Sequence, residues 1–225
     1  MSEWLTTDVS GNAMQCFATG EHGQNGVIIA MHAPGIDESM QELAGWTADA
    51  GLQSITPDLY HRQPDDGSTG LEKMENLQDD EVLTDLRSAR MLLEGRGAQQ
   101  IAVIGFCMGG RIAYLQAASD HSMKCAVIFY GGNIMEPWGD NPTPFSRTSE
   151  IGCPILGLFG GEDTNPSPED VASIDAELVK HDKVHEFHSY SDAGHAFMNS
   201  MRPSYREDSG RDAWSKCIAW LNKHF

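Results

Sequence analysis

The feature that most constrains this chain is a repeated switch of hydrophobic period along its length. Apolar runs of four to eight residues recur as GVIIAMHA (26–33), LQSITPDLY (52–60), QIAVIGF (100–106), KCAVIFYG (124–131), CPILGLFG (153–160) and HEFHSY (185–190). Rich in Val, Ile and Phe, they suit buried strands. Between them, segments 38–51, 79–95, 109–120, 167–181 and 206–225 carry helical periodicity. In SPED (167–170), Ser167 is placed to cap a helix, with proline at its first position and acids in its first turn. Strand and helix alternating throughout predict an α/β protein with a mostly parallel central sheet flanked by helices on both faces. The stretches QPDDGSTG (63–70) and EPWGDNPTPFSRTS (136–149) read as exposed loops.

A length of 225 residues with 40% hydrophobic content suits one domain over 1–225. Thirty-three acidic against fifteen basic residues give a formal charge of -18, a field that repels phosphate backbones and anionic membranes. A small-molecule partner is therefore expected rather than nucleic acid or a membrane, in a monomer or small homo-oligomer. The N-terminal residues show no basic segment leading into an apolar stretch, and five scattered cysteines form no C-x-x-C pair or zinc spacing. These features predict a soluble cytoplasmic protein with free thiols and no metal.

The informative motif is GFCMGG (105–110), where a strand-like run gives way to a helix-like one. A nucleophile at such a sharp turn occupies strained backbone and needs small neighbours. The first N–H groups of the helix, that of Met108 foremost, would face a developing oxyanion, and the helix start lowers the thiol pKa. The competing reading of these six residues is a small buried cysteine in an ordinary glycine-rich turn. A nucleophile elbow calls for an acid and then a histidine on later post-strand loops. Asp163, in GEDTNPSPED, and His195, in SDAGHAFMN, occupy those places in that order. A second oxyanion donor should come from HAPGID (32–37); Pro34 has no N–H, so Ala33 is the candidate.

With these residues assembled, the chain resembles the dienelactone hydrolase family over nearly its full length. GVIIAMHAPGID, ITPDLYHRQ, VIGFCMGGR, FYGG, LGLFGGED and YSDAGHAFMN follow in that family's order and spacing. The resemblance implies an α/β-hydrolase fold with Cys107 as nucleophile, His195 as base, Asp163 as its orienting partner, an oxyanion hole at Ala33 and Met108, and no cofactor. It also exposes two departures. His32 stands where well-known members have a glutamate that helps to activate the nucleophile; here the imidazole either shares the thiolate proton or packs in its loop. The two arginines that clamp a substrate carboxylate are missing: Asn199 holds one position, and no arginine lies between Gln63 and Leu86. Arg202 and Arg206 are candidate replacements, Trp138 a candidate pocket wall beside Phe145, and Arg62 a scaffold residue. The leading expectation is hydrolysis of an ester or lactone through a cysteine thioester. The alternatives are a broad carboxylesterase acting on uncharged esters and, in another class, a non-catalytic thiol that senses oxidants.

Overall fold

In the computed structural model, which describes residues 1–225, the strand-forming runs pair into one eight-stranded sheet. Its strands are β1 (Ser2–Val9), β2 (Asn12–Thr19), β3 (Asn25–Ala30), β4 (Gln53–Pro57), β5 (Gln100–Phe106), β6 (Ala126–Phe129), β7 (Ile155–Gly160) and β8 (His185–Tyr190). The order is β1-β2-β4-β3-β5-β6-β7-β8; β1/β2 and β2/β4 are antiparallel and every other pair is parallel. The expected α/β-hydrolase architecture is thus present, with an N-terminal hairpin that the apolar runs did not announce. That hairpin is hidden in the sequence because β1 faces solvent along most of its length and carries few apolar residues.

The period of two in the central strands explains why two helical layers are needed. In β3, Val27 and Ile29 point to one face and Ile28 and Ala30 to the other, and β5 divides Ala102, Ile104 and Phe106 from Ile101 and Val103 in the same way. One face is covered by α1 (Glu38–Asp49) and α6 (Glu207–His224), through Met40, Leu43, Ala213, Cys217 and Leu221. The other is covered by α3 (Asp79–Gly95), α4 (Met108–Ser119) and α5 (Pro168–Lys180). Helix α3 buries Val82, Leu86, Ala89 and Leu93, a stripe at helical spacing. Helix α4 is buried from Met108 to Ala118, so its sequence has no polar face to read. Ser167 caps α5 by accepting the Asp170 N–H at 3.1 Å. No helix is long and apolar enough to cross a membrane.

Both expected loops contain local helix. The first runs into α2 (Gly70–Glu75), where Thr69 accepts the Glu72 N–H and the Glu72 carboxylate accepts the Thr69 N–H at 2.7 Å. The second enters a 3-10 helix at Phe145–Glu150.

Two buried ion pairs fasten α3. Asp85 is fully buried, accepts both terminal nitrogens of Arg62 at 2.7 Å and lies 3.1 Å from His61 Nε2. Arg62 therefore anchors the segment after β4 to α3, as a scaffold residue would. At the start of α3, Asp79 pairs with the fully buried Arg111 of α4 at 2.5 and 3.1 Å. Arg111 also donates to the carbonyls of Asn133 and Glu136, and its guanidinium lies 3.8 Å from the centre of the Trp138 ring. Removing one member of such a pair leaves the other as an uncompensated buried charge. Asp79→Ala should therefore lower the unfolding free energy by about 3–5 kcal/mol. Equilibrium denaturant unfolding checks this, and a loss below about 1 kcal/mol would show that Arg111 finds a substitute partner.

Candidate active site

Cys107 sits between the end of β5 and the start of α4 with φ 57° and ψ −118°, a conformation that side chains rarely adopt. The turn is possible because its neighbours lack side chains. A Cβ on Gly105 would collide with the Gly109 carbonyl, and one on Gly109 would collide with the carbonyl of Ala30 in β3. Backbone bonds hold the residue in place, from Cys107 N–H to the Phe129 carbonyl at 3.0 Å and from Gly110 N–H to the Cys107 carbonyl at 2.9 Å. The sulfur therefore stands at the carboxyl edge of the sheet, over the first turn of α4.

Parallel strands deliver the remaining groups to that same edge. Asp163 follows β7 and is buried; its Oδ1 accepts the Asn165 N–H at 2.9 Å, and its Oδ2 lies 2.9 Å from His195 Nδ1. His195 follows β8, and its ring packs edge to face with that of Tyr130 at a centroid distance of 5.3 Å. With Nδ1 engaged by Asp163, Nε2 is the nitrogen left to bond the Cys107 sulfur. The N–H groups of Met108 and Ala33 also face that sulfur and lower its pKa. Ala33 is aimed by a turn in which the His32 carbonyl accepts the Gly35 N–H at 3.0 Å, because the N–H of a trans peptide points opposite to its carbonyl.

These contacts set the charge of the pair. Burial would raise the Cys107 pKa, but the hydrogen bond and charge of His195 and the N–H groups of Met108 and Ala33 outweigh it and bring the thiol below its ordinary 9.0. Burial likewise opposes a charged His195, yet its bonds to Asp163 and to the sulfur push it up to about 10. Both shifts favour a thiolate–imidazolium pair over the neutral couple. The other four cysteines are buried and unpaired, and burial shifts each of them upward, Cys16 and Cys153 to about 12.

A cavity of about 440 Å³ opens over the sulfur. Its walls include Ala33, Pro34, Ala196 and Arg202, and Thr69, Gly70 and Leu71 at the start of α2 contribute a further side. A slightly larger groove of about 470 Å³ runs between α1 and α6, lined by Trp46 and Trp214, but it contains none of these reactive groups.

Of the candidate substrate contacts, only Arg202 reaches this cavity. Arg206 donates to the carbonyls of Asp192, Pro203 and Tyr205 where α6 begins, so its guanidinium is spent on the backbone. Asn199 is buried and accepts the Met201 N–H at 3.0 Å, closing its own loop. Trp138 is no part of the pocket wall, because its ring packs on Arg111 instead. His32 lines the cavity, but its Nε2 lies 2.9 Å from Asp37 Oδ1, off the line of a good hydrogen bond. Burial lowers its pKa against the pull of Asp37, and the charge of Arg202 lowers it further. The geometry is that of a ring packed in its loop beside Asp37, and the groups that tune the Cys107 sulfur are His195, Met108 and Ala33. Tyr60 and Tyr130 escaped the sequence reading, whereas Thr69 and Gly70 belong to the 63–70 stretch read there as an exposed loop and here open α2. Tyr60 lies within the ITPDLYHRQ signature, but a lone hydroxyl has no spacing that marks it.

A cysteine on a strand-to-helix elbow, with an acid and a histidine on later loops of a mostly parallel sheet, defines an α/β-hydrolase-fold protein. The chain belongs to the dienelactone hydrolase family, whose profile matches residues 14–225. It is 34% identical over 207 residues to a candidate carboxymethylenebutenolidase of Yersinia pestis, covering 88% of this chain and 78% of that protein. The crystal structure of a candidate dienelactone hydrolase from Klebsiella pneumoniae superposes with a TM-score of 0.92 at 27% identity, covering 99% of this chain and 98% of that one. An esterase from Pyrobaculum calidifontis shares the fold, with a TM-score of 0.74 at 14% identity over 99% of this chain and 85% of its own.

The pKa shifts make a signed prediction. The thiolate is the form that reacts with iodoacetamide, so the alkylation rate of Cys107 should fall only as pH drops through a midpoint below 9.0. His195→Gln removes the bond and charge that lower it most, leaving only the Met108 and Ala33 N–H groups against burial, so the midpoint should rise. Superimposable rate profiles for the two proteins would refute the pairing.

Proposed function

We propose that this member of the family hydrolyses a small ester or lactone through a thioester on Cys107. The observation that carries the reading is convergence: Cys107 on its strained elbow, Ala33 and the Asp163-bonded His195 line one cavity, and the N–H groups of Met108 and Ala33 and the imidazole of His195 all act on the one sulfur atom. Donors that now hold the thiolate stand ready to hold the oxygen of a carbonyl under attack.

The thiolate adds to the substrate carbonyl, forming the S–C bond and moving the π pair onto oxygen, which Ala33 and Met108 receive. Collapse expels the alkoxide, and the His195 imidazolium supplies its proton. The neutral imidazole, oriented by Asp163, then takes a proton from water as that oxygen attacks the thioester. The adduct expels the thiolate to give the carboxylic acid, which departs and loses its proton to solvent, and the thiolate–imidazolium pair is restored. No metal or organic cofactor enters these steps.

The relatives' names point to a dienelactone, a small lactone that bears a carboxylate, and Arg202 is the one arginine on the cavity wall. It serves here as the carboxylate contact, in place of the two arginines that the resemblance led one to expect. Uncharged esters would use the same chemistry without that contact.

Steady-state hydrolysis of dienelactone and of p-nitrophenyl acetate tests both parts. Cys107→Ala should lose at least about 10³-fold in turnover on either substrate, and an unchanged rate would end the thioester proposal. Arg202→Ala should raise KM for dienelactone by about five- to tenfold and leave p-nitrophenyl acetate unaffected. Equal effects on the two substrates would remove Arg202 from recognition.

A further inference from the structure

Tyr60 follows β4, outside the group of residues that meet the sulfur, yet its hydroxyl lies at a three-way junction. The oxygen is 2.8 Å from the carbonyl of Ala33, 2.9 Å from the carbonyl of Gly70 and 3.4 Å from the sulfur of Met108. Ala33 and Met108 are the two residues whose N–H groups lower the Cys107 pKa, Ala33 lines the cavity over the sulfur, and Gly70 opens α2 at the cavity wall. A phenol has one proton and here faces two carbonyl acceptors at nearly equal distance, so it donates to one of them at a time. Burial, reinforced by the negative charge of Cys107, keeps that proton on the oxygen.

A second contact independently ties the same elements together. A Cβ on Gly70 would collide with the Ala33 carbonyl and would lie 2.9 Å from Pro34 Cα, so the first turn of α2 rests directly on the donor loop. The Ala33 carbonyl also precedes Pro34, whose nitrogen carries no hydrogen, so the following peptide has no N–H to tie this loop down. One side of Ala33 is fixed by the bond from Gly35 N–H to the His32 carbonyl. Its other side is held by Tyr60.

We infer that Tyr60 is the positioning residue of the oxyanion hole, and that its shared hydroxyl proton couples the Ala33 donor to helix α2 at the cavity wall. This rests on the reading of the site as an acyl-transfer centre. When the proton goes to Ala33, the donor loop is clamped; when it goes to Gly70, α2 is held and the loop is freer to move. Because α2 and the donor loop are in contact, a substrate that presses on Thr69 to Leu71 acts on the aim of the Ala33 N–H.

The test separates oxyanion stabilisation from mere reactivity of the sulfur, and it does not require turnover. A trifluoromethyl ketone adds to the thiolate to form a hemithioketal whose oxyanion occupies the hole, whereas iodoacetamide alkylates the sulfur without forming an oxyanion. Tyr60→Phe should weaken the ketone by about tenfold, followed by fluorine NMR, while the alkylation rate on its alkaline plateau stays within about twofold of the parent. Gly70→Ala, which displaces α2 against Ala33, should weaken the ketone in the same direction with the alkylation plateau again preserved. Undiminished ketone affinity in Tyr60→Phe would overturn the inference, as would equal losses of ketone affinity and alkylation, the mark of a purely structural role. Failure of the thioester reading is seen separately, as ester turnover that survives Cys107→Ala.

Discussion

Everything reactive in this protein depends on one backbone conformation, the left-handed turn at Cys107. A side chain at such a φ costs on the order of 1–3 kcal/mol and persists only where its surroundings overdetermine it. Here they do: β5 is hydrogen-bonded on both sides by parallel strands, α4 is buried on every face, and the glycines at 105 and 109 let helix, turn and β3 pass within contact distance. The strain is thus borne by the most buried part of the fold. In return the sulfur stands clear of the sheet, with the first N–H of α4 beneath it.

The acid and the histidine reach that sulfur because consecutive parallel strands end at the same edge of the sheet. Asp163 and His195 come from neighbouring strands β7 and β8, so their loops need only short excursions to meet. Asp163 is almost wholly buried, and its second oxygen is held by the Asn165 N–H, which prevents the carboxylate from turning away from the imidazole. The electrostatic outcome is mutual. Each of Cys107 and His195 favours the charged form of the other, in a setting where burial pushes either towards neutrality.

How much of this was legible beforehand depended on how far each signal was local. The central strands were visible because both of their faces are buried, which leaves continuous apolar runs, and α5 announced itself through Ser167 and its proline. Strand β1 was invisible for the opposite reason: it lies at the sheet edge with most residues in solvent. Helix α2 buries none of its residues, so no apolar stripe betrays it, and only the capping box at Thr69 and Glu72 marks its start. Cys107, Asp163 and His195 could be singled out by chain order, but the partners of a long side chain could not. Trp138 met Arg111, Arg206 met carbonyl groups and His32 turned to Asp37, each a choice made by tertiary neighbours that no spacing in the sequence encodes.

The distribution of thiols has a further consequence. Four of the five cysteines lie inside the two cores with their ionisation suppressed, and the fifth, on the wall of a cavity, has its ionisation favoured. Towards a mild electrophile the native molecule therefore behaves as a single-cysteine protein, although its chain carries five. The number of thiols that react within a short exposure becomes a measure of integrity: one for an intact fold, more for each layer that has opened. Because Cys16 lies in β2, Cys125 and Cys153 lie beside the central strands and Cys217 lies in α6, the identity of the second thiol to react would name the layer that opens first.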